Sequence, residues 1–164
     1  MDAVFALILS CSLHPDDALV RAFIQRVSDG NVYFVGDLAT VTSHDHVHGL
    51  PEAMALVEEI REAGGRPAVG LMAVPVTWAQ RYGRTEADLF DGCINIALGT
   101  DAMARYAAEC SQRARQGTRR SRPRSELPRA AARLCILRHF DRELGVYGYP
   151  AGVLGALAKT PAGR

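Results

Sequence analysis

The sequence predicts a mainly α protein of the α+β class, with five or six helices and one small β-hairpin. Apolar residues recur at intervals of three and four along most of the chain, the spacing that places them on one face of a helix. One short stretch is instead rich in Val, Tyr, Phe and Thr, which favour strands. With 164 residues, 48% of them hydrophobic, the chain is long enough for one buried core, and we expect residues 1–164 to form a single domain.

Two helices and the hairpin are predicted in the N-terminal part. An apolar run at Val4–Leu9 is short and has no Lys or Arg before it, so it lacks the features of a complete secretory signal, and we predict a core helix. The segment His14–Asp17 places proline and acids where the first turn of a helix favours them, and the apolar stripe that follows reaches Val27. The hairpin follows over Asn31–Val41, broken at Gly36–Asp37.

The middle of the chain is predicted to hold two further helices. One opens at Pro51 and is stopped by Gly64–Gly65, since glycine commonly ends a helix. The continuous apolar run Val69–Val76 fits either a buried strand or the entry to a buried helix. Asp91 is a suitable N-cap for a helix that extends to about Cys110, in which a glycine at position 99 permits the close approach of a neighbouring segment.

The C-terminal part combines a loop with helices. Residues 114–128 hold Gly, Ser, two Pro and a run of Arg, and we predict an Arg-rich loop there. A helix over Arg129–Arg142 follows, and Gly145–Pro150 leads into a short terminal helix. No apolar run approaches the roughly 20 residues that a membrane-spanning helix needs, so we expect no transmembrane segment.

Charge is distributed unevenly, although the formal net charge is +1. Residues 1–112 hold 7 Arg against 15 acidic residues, whereas residues 113–164 hold 11 Arg and 1 Lys against 3 acidic residues. Eight arginines lie between Arg113 and Arg133, and such a segment could bind nucleic acid or another polyanion. It contains no aromatic residue for base stacking, and its two prolines would break a recognition helix. A solvated loop is the preferred interpretation, with a polyanion adaptor as an alternative.

Three histidines at alternate positions, His44, His46 and His48, would share one face of an extended strand and could then bind zinc. No obvious fourth ligand lies nearby in the sequence, and a polar turn after the hairpin is the simpler interpretation. The chain also contains no G-x-G-x-x-G motif and no phosphate-binding loop. We therefore predict no metal and no cofactor.

The four cysteines, Cys11, Cys93, Cys110 and Cys135, form no C-x-x-C pair, so they suit two disulfides or four core thiols better than a zinc knuckle. Helix geometry restricts the disulfides. Cys93 and Cys110 lie on one predicted helix, about 25 Å apart along its axis, whereas a disulfide needs Cα atoms within about 7 Å. These two cannot bond to each other, and each would need Cys11 or Cys135 as its partner.

Two sequence blocks in a fixed order carry a resemblance to a known family. Gly70–Val74 reads G-L-M-A-V and resembles the G-[LI]-[MA]-Q-[VI] block of lysozyme-like lytic transglycosylases. Phe90–Gly99 reads F-D-G-C-I-N-I-A-L-G and resembles their F-D-P-C-x-N-[IL]-x-x-G block; with this cysteine, the chain is similar to the transglycosylase component of bacterial type IV secretion systems. Upstream, Val27–Asn31 falls where that family has E-S-x-x-N-P, and Cys135 falls where it has S-C-Y-x-[TS]-G. The resemblance covers nearly the whole chain and implies a lysozyme-like fold.

The differences from the family fall in its substrate groove. Val27 stands where the resemblance places the catalytic Glu, Ala73 where it places a Gln, and Pro75 where it places an Asn. A lytic transglycosylase needs a carboxyl that protonates the glycosidic oxygen and then assists the sugar 6-hydroxyl, with its pKa raised by an apolar wall. Valine carries no such proton, and Asp29 lies roughly 200° further round the helix. We therefore expect no intact catalytic residue, with Asp29 as the substitute that an active enzyme would need.

The resemblance implies that Ser28, Asn31, Gly70 and Met72 line the substrate groove. It predicts a degenerate, non-catalytic protein of the periplasm that binds a peptidoglycan glycan strand weakly or docks another protein of a type IV secretion or conjugation apparatus. Two alternatives stay open: an active lytic transglycosylase with a displaced acid, and the polyanion or nucleic-acid adaptor. If the protein is periplasmic, the other two cysteines should pair with Cys93 and Cys110 in some order.

Overall fold

The computed structural model describes residues 3–44, 47–117, 128–144 and 152–155. Its elements, in chain order, are helices α1 (Ala3–Cys11) and α2 (Asp17–Val27), strands β1 (Val35–Asp37) and β2 (Thr42–His44), helix α3 (Leu50–Glu62), strands β3 (Pro67–Val69) and β4 (Val74–Pro75), helix α4 (Trp78–Arg81), a 3-10 helix (Ala87–Phe90), and helices α5 (Gly92–Gly117) and α6 (Arg129–Leu144). Residues 152–155 are also helical. The predicted mainly α, α+β class is confirmed.

The strands form one antiparallel sheet in the order β2-β1-β3-β4. Strand β1 is internal, because Gly36 pairs with Ser43 of β2 on one side and with Ala68 of β3 on the other. The apolar run at 69–76, which the pattern left open between strand and helix, supplies the last residue of β3 and the whole of β4. The sheet is therefore larger than the single hairpin that the sequence predicted.

The predicted hairpin is present, but the position of its turn was wrong. Strands β1 and β2 are joined through residues 38–41, whereas Gly36 and Asp37 belong to β1. The Asp37 carboxylate fixes this turn, because it accepts hydrogen bonds from the Ala39 N–H and from the Thr40 hydroxyl, each at 2.9 Å. An aspartate whose side chain accepts hydrogen bonds from the residues two and three positions later lies at the start of a turn and not at its centre.

One hydrophobic core joins the helices to the sheet. The apolar stripe of α2 is buried as predicted, and Phe23 from this stripe meets Phe140 of α6 with ring centroids 5.0 Å apart. The N-terminal apolar run is helical, as predicted, but only one side of it reaches the core: α1 packs against α2 and α5 and Ile8 is fully buried, whereas Leu9 is 56% exposed. Among the described residues, no helix is both long enough and apolar enough to cross a membrane.

The two predicted N-cap aspartates cap their helices, but one helix ends later than predicted. The Asp16 carboxylate accepts a hydrogen bond from Leu19 N–H at the start of α2, and Asp91 accepts one from Ile94 N–H at the start of α5. Helix α5 continues to Gly117, beyond the predicted end near Cys110, so residues 114–117 of the predicted loop are helical. Residues 118–127 of that loop, and the predicted lead-in at 145–150, lie outside the described residues.

Two disulfides join the helices, Cys11–Cys93 between α1 and the first turn of α5, and Cys110–Cys135 between α5 and α6. Their Cα–Cα distances are 5.3 Å and 6.2 Å. Cys93 and Cys110 lie on the same helix, so the predicted exclusion of a bond between them is confirmed. The pairing also fits the expected scheme, in which each of these two bonds to one of the other cysteines.

Asp16 links the start of α2 to α6. Its carboxylate accepts a bidentate pair of hydrogen bonds from the Arg133 guanidinium, at 2.7 and 2.8 Å, and a further one from Arg129 at 3.2 Å. Burial alone would raise the pKa of Asp16, but the hydrogen bonds from these arginines and from Leu19 N–H outweigh it and lower the pKa to about 2. The carboxylate is thus both a helix cap and one half of a partly buried ion pair.

We expect Asp16→Ala to lower the free energy of unfolding by about 3 kcal/mol, because both cap and ion pair are lost. Asn can still cap the helix, so Asp16→Asn should cost less, about 2 kcal/mol. Since the folded pKa lies below the ordinary value, the contribution is complete above about pH 4 and declines as the pH falls towards 2. Urea unfolding between pH 2 and 7 tests this; an equal acid sensitivity in Asp16→Asn would contradict it.

Candidate functional site

The end of α2 contacts the connection between β3 and β4. Ser28 follows the last helical residue, and its hydroxyl lies 2.8 Å from the Leu71 carbonyl oxygen and 3.2 Å from that of Ile24, either of which it can donate to. The side chain is buried, and the oxygen also accepts from the Gly30 N–H. Ser28, predicted to line a groove, therefore holds two chain segments together rather than presenting a free hydroxyl.

The turn after α2 is fixed by Asn31. Asp29 and Gly30 adopt left-handed conformations with φ of 51° and 80°, which reverses the chain. The Asn31 side chain then accepts from Tyr33 N–H at 2.9 Å and donates to the Val47 carbonyl oxygen at 3.1 Å. Like Ser28, this predicted groove residue uses its polar atoms within the protein.

Asn95 holds the Gly70–Met72 segment in place. Its carbonyl oxygen accepts from Met72 N–H at 2.8 Å, and its amide donates to the carbonyl oxygens of Val69, at 2.8 Å, and Leu89, at 2.7 Å. Asn95 is completely buried. The first turn of α5 is thereby tied to the β3–β4 connection, which in turn contacts Ser28, so the two blocks that carry the resemblance meet the end of α2.

Close packing at this connection depends on two glycines. Gly70 has a φ of +77°, and a Cβ built there would lie 2.6 Å from Cγ of Asn95. A Cβ on Gly99 would lie 2.6 Å from the sulfur of Met72, so the predicted close approach at Gly99 is confirmed, with Met72 as the neighbour. The Met72 side chain is buried, so it is not exposed in a groove as predicted.

Gly70→Ala should lower the free energy of unfolding by about 3 kcal/mol, because it adds a steric clash to left-handed strain. Gly64 is a matched control, since its φ is also +77° but a Cβ there meets nothing within 4 Å. Gly64→Ala should therefore cost only about 1 kcal/mol, the cost of the backbone conformation. Equal losses in chemical denaturation of the two variants would show that the packing against Asn95 is unimportant.

The position that the resemblance assigns to a catalytic acid is apolar. Val27 is the last residue of α2, half-buried and packed against the core. Ala73 and Pro75, which stand where the family has polar groups, are both buried. Asp29 is exposed, and its carboxylate accepts a hydrogen bond from the Gln25 amide one turn earlier on α2. The position of the expected acid is therefore half-buried and apolar, whereas the Asp29 carboxylate is exposed.

Of the three histidines, the structure describes His44 and His48, which do not share a strand. Strand β2 ends at His44, which is exposed, and His48 lies in the connection to α3, with its backbone N–H donating to the Glu52 carboxylate at 3.2 Å. His46 lies outside the described residues. His44 and His48 therefore do not lie on one strand, and the structure does not place His46 relative to them.

A cavity of about 520 Å³ opens beside β4 and α4. It combines apolar walls with cationic and hydroxyl groups, and sequence patterns gave no signal for it because its residues come from five separate segments. The residues around it are Leu38, Arg61, Gly65, Arg66, Pro67, Pro75, Val76, Thr77, Ala79, Gln80, Arg84, Thr85 and Glu86. Arg61 is engaged by Glu86 at 2.6 Å. Pro75, which directly follows the Gly70–Val74 block, is also part of the cavity wall.

Comparisons of the chain with models of protein families, with curated proteins and with solved structures found no match.

Proposed function

We propose that this protein is a non-catalytic relative of lytic transglycosylases, which uses a lysozyme-like groove to hold a peptidoglycan glycan strand in a type IV secretion or conjugation apparatus. One observation carries the proposal. The segments that resemble the family, although far apart in sequence, converge on the end of α2 through the Ser28–Leu71 and Asn95–Met72 hydrogen bonds. A valine occupies the position at which the family needs a carboxyl.

The loss of the acid is the physical reason for an inactive protein. Cleavage of a glycosidic bond requires a proton on the leaving oxygen, and the alkyl side chain of Val27 supplies none. Loss of general acid–base catalysis costs about 100- to 10,000-fold in rate. Ala73 and Pro75 also lack the side-chain amides that the resemblance would place there, so the groups that act with the acid are missing too.

A displaced acid is less well supported by the contacts. Asp29 would have to act as the general acid, which requires an apolar environment that keeps its carboxyl protonated near neutral pH. Its side chain is instead exposed and hydrogen-bonded to Gln25. An active enzyme would need the turn after α2 to rearrange, although that turn is held by Asn31.

Two of the eight arginines of the polyanion alternative share one carboxylate within the protein, although the Arg129 side chain stays 71% exposed. Arg129 and Arg133 are engaged by Asp16, so their charges stabilise the contact between α2 and α6. The arginines at 119–124 lie outside the described residues. Arg133, among the arginines of this segment that the structure describes, thus uses its charge in a partly buried ion pair.

Two further features support the proposal. The cavity beside β4 offers Arg66 and Arg84 together with Thr77 and Gln80, groups suited to the hydroxyls and carboxylates of peptidoglycan. The two disulfides favour an oxidising compartment such as the periplasm, where peptidoglycan is found.

Co-sedimentation with purified peptidoglycan sacculi tests glycan binding. We expect the wild type to sediment with sacculi at 200 mM salt, and Val27→Arg to lose this because a long cation obstructs the end of the groove. Gln25→Arg is the matched control, since it adds the same charge at an exposed position on the same helix. Binding to a DNA duplex that falls steeply between 50 and 200 mM salt, without binding to sacculi, would instead favour the polyanion alternative.

Restoring the acid should not restore the enzyme. We expect Val27→Glu to cost about 1–2 kcal/mol of stability, since the half-buried position lets the carboxylate reach water. In a peptidoglycan-clearing gel it should show at most a trace of activity, because catalytic groups act as a unit. Val27→Gln adds a side chain with the shape of glutamate but no acidic proton, and it should show no activity. Strong clearing by Val27→Gln would mean that position 27 is not the site of the missing acid.

A further inference from the structure

A second cluster lies between α5 and α6, where Cys110, Cys135 and His139 meet. The two sulfur atoms and one ring nitrogen of His139 lie within 4.8 Å of one another. Cys135 and His139 are four residues apart on α6, which places them on the same helical face, and Cys110 reaches them from α5. Ligand atoms around a tetrahedral zinc ion lie about 3.5–3.8 Å apart, so this grouping has nearly the required size.

His139 is oriented by its neighbours and has an unused nitrogen. Its ring stacks on Tyr106, with centroids 5.1 Å apart and planes 14° from parallel, and its side chain is 7% exposed. Nδ1 faces a carboxylate oxygen of Glu109 at 3.6 Å. Nε2 is buried and has no hydrogen-bond partner within the part of the chain that the structure describes. A buried polar atom left unpartnered costs free energy, so its retention points to a ligand.

The other nitrogen of the ring also has a suitable neighbour. Metal-binding histidines commonly direct their second nitrogen towards a carboxylate, as His139 does towards Glu109.

We propose that the Cys110–Cys135 disulfide is the oxidised form of a zinc site, and that its reduction lets Cys110, Cys135 and His139 bind one Zn²⁺ ion, with Glu109 as a positioning residue. Two thiolates and an imidazole are ligands that zinc prefers, and a water molecule can take the fourth position. The site would couple metal binding to the redox state of the compartment, and it lies apart from the contacts that Ser28 makes at the end of α2.

The chemistry requires a dithiol reductant. One thiolate of the reductant attacks the sulfur of Cys135, which is half-buried whereas Cys110 is buried, and Cys110 leaves as a thiolate. The second thiol of the reductant then displaces Cys135, so that the protein gains two electrons and two protons and the reductant becomes a cyclic disulfide. Binding of Zn²⁺ releases the two thiol protons to solvent while the sulfurs move apart to about 3.8 Å.

Titration of the whole chain with Co²⁺, followed by displacement with Zn²⁺, tests the proposal. The protein is reduced with dithiothreitol without oxygen, desalted because the dithiol itself binds metals, and compared with oxidised protein. We expect the reduced protein to bind one Co²⁺, with thiolate charge-transfer absorption and the visible bands of a tetrahedral ion, and the oxidised protein to show neither. Circular dichroism should show that Zn²⁺ raises the melting temperature of the reduced protein.

Variants separate this site from the other cysteines. Cys11→Ser with Cys93→Ser removes the other disulfide and should leave the Co²⁺ spectrum intact. His139→Asn should weaken binding by at least about 100-fold, and Glu109→Gln by about 10-fold, the effect of a lost orienting group. Equal binding by His139→Asn and wild type would overturn the proposal, as would loss of the spectrum in the Cys11/Cys93 variant. If the reduced protein unfolds and Zn²⁺ does not restore its helicity, the proposal is also wrong.

Discussion

Replacing both Cys11 and Cys93 with serine should lower the free energy of unfolding by about 4.5 kcal/mol. The disulfide closes a loop of 82 residues, and cross-linking positions so far apart removes much of the conformational entropy of the unfolded chain. Cys110–Cys135 closes a loop of 25 residues, so the corresponding double serine variant should lose less, about 3.5 kcal/mol. Urea denaturation of the two variants under non-reducing conditions measures both losses.

The two loops do not overlap in sequence, which makes the comparison sharper. The losses should add in the variant without cysteines, since neither cross-link shortens the loop that the other closes. A larger loss from removing Cys110–Cys135 than from removing Cys11–Cys93 would contradict the entropic account. It would mean that the contact between α5 and α6 depends on its disulfide rather than on packing.

Asn95→Ala should cost about 4 kcal/mol, because it leaves the Met72 N–H and the carbonyl oxygens of Val69 and Leu89 without their side-chain partner in the core. Asn95→Asp is the informative companion variant. It keeps an acceptor for Met72 but directs a second oxygen at two carbonyls, so it should also be strongly destabilised unless the new carboxyl is protonated.

Thermal and urea unfolding of both Asn95 variants give the measurement. The loss in Asn95→Asp should diminish at low pH, because a protonated carboxyl can donate one hydrogen bond to the carbonyl oxygens. A cost below about 1 kcal/mol for Asn95→Ala would show that the β3–β4 connection holds its position without this side chain.

Local features of the fold were predictable because their causes are local. The caps at Asp16 and Asp91, and the buried stripe that contains Phe23, follow from residue types within one or two turns of a helix. The hairpin turn was misplaced because Asp37 acts through its side chain on the following residues, which a count of strand-forming residues does not register. Helix α4 and the 3-10 helix were missed, since four residues are too few to show a period.

The contacts of the predicted groove residues could not be derived from the sequence. The resemblance brought attention to Ser28, Gly70 and Met72, and the structure brings their segments together. The structure also shows that Ser28 and Met72 are buried where the end of α2 meets the β3–β4 connection, and the spacing of residues in the sequence does not indicate this. The ion pair between Asp16 and Arg133 joins residues 117 positions apart, and such pairings depend on the assembled fold.

Mass spectrometry of the soluble products released from purified peptidoglycan sacculi tests the central claim most directly, because a lytic transglycosylase leaves a 1,6-anhydro ring on each new glycan end. With the disulfides intact, we expect the wild-type protein to release no anhydro products above those of sacculi alone, while an active lytic transglycosylase in parallel releases them. Anhydro products from the wild type that disappear in Asp29→Asn but persist in Val27→Ala would contradict the claim, and would identify an active enzyme with a displaced acid.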